Sequence, residues 1–175
     1  MKKINLLFIT LTILTFISCN QAGKSGAGDA AFEKLSEEYL KGYLTWRPQT
    51  GTYLGLHEYD GKITDYSKAS IDAELARLKE YDQKFAEVDS ASKKKKKYYD
   101  LQMLKLAVKN EIFGIEDLHY FTQNPMAYAG AIDVNIYIKR NFAPVEQQIK
   151  SIIAIENEAP KIFAAAKANL VDSLS

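Results

Sequence analysis

Among 175 residues there is one cysteine, Cys19, one tryptophan, Trp46, and two histidines, His57 and His119. A lone cysteine forms no internal disulfide, so stability has to come from packing. Two histidines in separate parts of the chain fall short of the three protein ligands that a catalytic zinc usually takes. His57-Glu58 opens like the zinc-peptidase pattern H-E-x-x-H, but the fifth position is Gly61, and Tyr59-Asp60-Gly61 reads as a turn and not as helix. An excess of either charge is missing as well: 23 basic residues stand against 22 acidic ones, which leaves no nucleic-acid footprint. The glycines Gly51, Gly55 and Gly61 lack the Lys and Ser/Thr of a phosphate-cradling loop.

Only one long uncharged, mainly apolar run is present, interrupted by Asn5 and three threonines, and it lies at the start. Lys2 and Lys3 precede an uncharged stretch from Ile4 to Ile17 that ends in Phe16-Ile17-Ser18-Cys19. This is the layout of a secretory leader with a small residue before the cut. It is shorter than the roughly twenty apolar residues that a membrane span needs. Cys19 directly after Ser18 resembles the lipobox of bacterial lipoproteins, with Phe16 standing where Leu is usual. The expectation is a leader over 1–18, acylation (palmitate) of Cys19, a flexible Gly-rich tether over 19–28, and an exported chain anchored to a bacterial membrane. The outer membrane is the expected address, with the domain facing the periplasm or cell surface. Ordinary secretion with an incidental Cys19 is the alternative. Lys2 and Lys3 leave with the leader, so 21 basic residues remain against 22 acidic ones.

From Asp29 the apolar residues recur at helical spacing. Phe32, Leu35, Tyr39, Tyr43 and Trp46 share one face, with Gly42 among them where a close neighbour needs room. Pro48 disfavours helix at Arg47 and closes that segment. Ile71, Leu75, Leu78, Tyr81, Phe85 and Val88 stripe a second helix, capped by Asp65 or Ser67. Tyr98, Leu101, Leu104, Val108, Ile112 and Ile115 stripe a third, antiparallel to the second across a short turn. Over 131–139 the residues alternate as in a strand, yet Tyr128, Ile132 and Ile136 also fit one helical face, and no partner strand is in sight. Helix is the reading adopted. Pro144 and Pro160 suit first helical turns; Val145, Ile149, Ile152 and Ile153 stripe one helix, and Ile162, Phe163, Ala166, Leu170 and Leu174 the last. The expected fold class is all-α, about six helices over 29–175, with more apolar face on the last two than the others can cover.

Between the first two helices lies an irregular connector, Tyr43 to Ser67, long for a plain loop, in which Asp60-Gly61 could close a small hairpin. Its Trp46-Arg47-Pro48, Leu54-Gly55, Tyr59-Asp60-Gly61 and Asp65-Tyr66-Ser67 resemble the opening signature of bacterial lipoproteins catalogued as domain of unknown function 885. Asn124-Pro125 with Tyr128, Arg140-Asn141-Phe142-Ala143-Pro144, Pro160 and Asn169-Leu170 follow in the same order. The family looks like zinc-dependent peptidases of the zincin type. The resemblance therefore implies that this chain is the N-terminal helical portion of a larger, mostly α zincin-like protein, truncated at its C-terminus. It would form a wall of the substrate cleft, with no catalytic residue and no metal ligand of its own. Zinc would be held by His and Glu in the C-terminal region, which is then a partner, as is a peptide substrate. Cleft candidates are Trp46, Arg47, Tyr59, Asp60 and Tyr128. The competing reading is a non-catalytic lipoprotein that binds a peptide, glycan or protein through the same aromatic surface.

Two surpluses remain. Five consecutive positives, Lys93 to Lys97, open the third helix against its dipole; they are a solvated helix end or a contact for anionic lipid headgroups. Eleven tyrosines, five of them in or beside the connector, are core and rim residues, or the lining of a groove.

Overall fold

The computed structural model describes residues 21–90 and 95–171, the side chains of 21–27 excepted. The leader, Cys19, Lys93, Lys94 and Leu174 lie outside the described residues. The described residues are 79% helical and include no strand, so the fold is all-α. Five helices have seven residues or more: α1 (Gln21–Trp46), α3 (Lys68–Glu87), α4 (Lys95–Glu116), α8 (Val145–Asn157) and α9 (Ala159–Asn169). Shorter ones fill the connections: α2 (Pro48–Tyr53), α5 (Tyr120–Gln123), α6 (Met126–Ala129) and α7 (Asn135–Lys139), with 3-10 turns at His57–Tyr59 and Gly130–Ile132.

Three expectations change. The described part of the tether, residues 21–28, is the start of α1. Once the anchored Phe32–Trp46 segment is helical, extension needs no new nucleus, and this outweighs the cost of about 1 kcal/mol for each of Gly23, Gly26 and Gly28. The connector is not irregular throughout: Pro48 ends α1 and then occupies the first turn of α2, where its missing N–H costs nothing. Asp60-Gly61 turns the chain with Gly61 at φ 71°, but no hairpin forms around it. The helix reading of 131–139 holds in two short pieces, a 3-10 turn and α7, with the Asp133 side chain accepting from the Asn135 N–H at 2.9 Å between them.

The core has three parts. Phe32 and Tyr39 of α1, Leu78, Tyr81 and Phe85 of α3, and Leu101 and Val108 of α4 form the first. Ile71, Phe121, Tyr128 and Ile162 centre the second, against which Trp46, Ile63 and Tyr66 pack. Ile136, Tyr137 and Ile155 form the third. Ser67 caps α3, its hydroxyl accepting from the Ser70 N–H at 3.3 Å. On α8 the buried residue is Ile155, whereas Val145, Ile149 and Ile153 are exposed, as is Phe163 on α9. Of the expected stripe on α8, Ile152 packs against the third part of the core and the other three point outward, because the helix docks through Gln148 and Ile155.

Candidate functional site

Gly42 opens a groove between α1 and α3. A Cβ there would lie 2.8 Å from Arg77 Nη1, so the absent side chain is what admits the Arg77 guanidinium against α1. That guanidinium lies over the rings of Tyr39 at 5.3 Å and Tyr81 at 5.4 Å. Its Nε and Nη2 donate to the two carboxylate oxygens of Glu74, each at 2.7 Å. Glu74 is buried, its side chain only 4% exposed, and both oxygens are taken. Burial by itself would lower the Arg77 pKa, but the hydrogen bonds and charge of Glu74 raise it on balance. This buried bidentate pair forms the floor of a cleft of about 630 Å³ whose walls include Lys41, Trp46, Ile63 and Asp65. Both Glu74 oxygens are engaged by Arg77, so Glu74 itself is held as a structural group and not as a free general base.

Trp46 is fixed at one end of this groove. Its Nε1–H donates to Ser70 Oγ at 3.1 Å, and its ring meets Phe121 edge-on at 6.0 Å. Arg47 covers the indole, its guanidinium 4.9 Å from the ring, and pairs through Nη2 with Glu111 Oε2 on α4. Arg47 is thus a clamp between the end of α1 and α4. Tyr59 and Asp60 lie in a different setting. The Tyr59 ring occupies the space above Gly51, where a Cβ would fall 2.4 Å from it. Asp60 Oδ2 lies 3.0 Å from His57 Nδ1, and the His57 ring stacks on Phe142 at 4.5 Å. The Gly61 N–H donates to the Tyr137 hydroxyl at 2.8 Å, and a Cβ on Gly61 would lie 3.2 Å from the Ser151 Cα. This turn therefore fastens the connector to α7 and α8.

Tyr128 belongs to the core and not to a cleft wall. It is 2% exposed, its hydroxyl donates to the Phe121 carbonyl at 2.6 Å and accepts from Asn169 Nδ2 at 3.1 Å. The family resemblance made it a cleft candidate, but a tyrosine whose hydroxyl is saturated by the protein is equally an interior residue. Glu74, Arg77 and Ser70 escaped sequence reading because charged residues on a helix are usually solvated. The one signal was Gly42, a helix-interior glycine that asks for a close neighbour. Among the described residues no group of three or more His, Cys, Asp or Glu side chains is placed to hold a metal ion. His57 is engaged with Asp60, and His119 starts α5 from a left-handed backbone at φ 49°. The donor set does not fit a zinc centre.

A family model described as "Bacterial protein of unknown function (DUF885)" matches residues 48–175. No curated protein matches the sequence. Among solved structures, a protein from Shewanella oneidensis, described as a candidate lipoprotein of unknown function, superposes with a TM-score of 0.70 at 22% identity. The match covers 80% of this chain and 26% of that one, so the chain spans about a quarter of the length of its structural neighbour.

Proposed function

Because this chain belongs to the DUF885 family of bacterial proteins, we propose that it is the helical wall of an exported, lipid-anchored protein and presents the α1–α3 groove to an extended peptide. The buried Glu74–Arg77 floor beside a fixed Trp46 is the observation that carries this reading. A stationary indole, an apolar wall through Ile63 and flanking Lys41 and Asp65 match a peptide, which offers apolar side chains and both charges. Anchoring is supported by the leader pattern ending at Cys19 and by the lipoprotein description of the Shewanella protein. The outward apolar residues Val145, Ile149 and Ile153 of α8 and Phe163 of α9 form the surface on which further polypeptide of a family-length protein would pack. A zinc-peptidase activity, as the family resemblance implies, would need metal ligands supplied by that further polypeptide. The groove described here would then hold substrate while chemistry proceeds elsewhere.

The test uses the expressed chain in two measurements. Its intact mass should include acyl chains on Cys19, and Cys19→Ser should abolish them and release the protein from membranes. Zinc after dialysis should be far below equimolar, with no cleavage of a peptide mixture. Stoichiometric zinc together with chelator-sensitive cleavage would overturn the assignment and return attention to His57, Glu58 and His119.

A further inference from the structure

We infer that the outward face of α4 is a bilayer-contact surface that takes anionic phospholipid headgroups. This helix is apolar on two opposite sides. Leu101 and Val108 are fully buried against α1 and α3, while Tyr99, Met103, Leu106 and Phe113 are 54%, 71%, 61% and 51% exposed. Their spacing of four, three and seven residues places those four on one stripe, diametrically opposite the buried one at about 100° per residue. A single exposed apolar residue is ordinary, but a stripe of four, broken only by the exposed Asn110, asks for a cover.

Charge selects the cover. Lys95, Lys96 and Lys109 are exposed on or beside the stripe. The acids of α4 are directed elsewhere: Glu111 pairs with Arg47 and Glu116 with Lys79, while Asp100 lines the groove towards α1 together with Glu33 and Glu37. An apolar stripe with aromatic members, rimmed by lysines, is the pattern of a helix that lies in a membrane interface. The outward face of α8 differs, since Glu146 and Lys150 pair there at 3.0 Å and offer no net charge.

Geometry agrees. Glu33 pairs with Lys97, Leu40 and Met103 line one groove, and Arg47 pairs with Glu111, so α1 and α4 run side by side in the same direction. With the α4 stripe on a bilayer, α1 lies along the surface, as a chain anchored through a lipid on Cys19, two residues before α1 in the sequence, would require. Only this last point rests on the anchored reading; the apolar stripe and its lysines do not.

Radical footprinting of the full chain on vesicles tests the assignment, with Met126, 67% exposed on α6, as the internal control for Met103. On phosphatidylglycerol-containing vesicles Met103 oxidation should be lost while Met126 oxidation persists. Lys95, Lys96 and Lys109 changed together to Gln should weaken vesicle association by about a hundredfold, at roughly a factor of five per lysine near an anionic surface. Met103 as reactive as Met126 on these vesicles would overturn the inference. So would Met103 protection without lipid, which would assign the stripe to a protein partner or a second copy. Intact mass of the same sample reports acylation separately, so loss of the anchor and loss of the α4 contact are told apart.

Discussion

Arg77→Ala should cost about 3–5 kcal/mol of stability, the range for stranding one member of a buried ion pair. Glu74→Ala should cost less. The asymmetry follows from burial: the Glu74 side chain is 4% exposed and that of Arg77 22%, so an orphaned carboxylate is left dry whereas an orphaned guanidinium can rehydrate. Arg77→Ala also removes the stacking on Tyr39 and Tyr81. Replacing both partners by Met should recover most of the loss, because two apolar side chains leave no unpaired charge. Urea midpoints of the three proteins check the order. Equal losses for the two single variants would mean that the pair is solvated and that the groove floor is not as described.

Alkaline pH should destabilise the protein through Tyr39. Burial, partly offset by the Arg77 charge, raises its pKa from 10.0 to about 12. The folded pKa lies above the unfolded one, so folding holds the proton. The stabilising contribution is complete below about pH 10 and is lost progressively as pH rises through about 12. At 1.36 kcal/mol per unit the complete loss is about 2.7 kcal/mol, of which about 2 kcal/mol falls between pH 10 and 12. Tyr66 and Tyr128, both raised chiefly by burial, add in the same direction. Tyr39→Phe should flatten the dependence of stability on pH between 10 and 12 by about 2 kcal/mol. An unchanged slope would show that the phenol reaches water in the native state.

The helices were legible in the sequence because their apolar spacing coincides with real burial: Phe32 and Tyr39, Leu78 and Phe85, Leu101 and Val108 all face one core. On the last two helices, where more apolar face was expected than the others can cover, periodicity meets exposure instead. Val145, Ile149 and Ile153 make a regular stripe on α8, yet the helix is held through Ile155 and Gln148. Spacing reports which residues share a face and is silent on whether that face is covered. The connector illustrates a different limit. Pro48 was legible as a stop, but its second role at the start of α2 depends on the packing of Gly51 against Tyr59, a contact that no periodicity encodes. Of the candidate site, Trp46 was legible by rarity and Gly42 by its misplaced flexibility. Glu74 and Arg77 became visible only when three-dimensional packing showed that two ordinary helix-surface charges are a buried pair.

Trp46 is the chain's sole tryptophan and stands in the groove wall, so its fluorescence reports directly on whether the α1–α3 groove takes a ligand. Titration of the folded protein with a mixture of unstructured peptides, such as a casein digest, should change Trp46 emission saturably. Arg77→Ala, which removes the groove floor, should abolish the saturation. Emission that stays flat across the titration, in a protein shown to be folded by circular dichroism, would contradict the peptide-binding account.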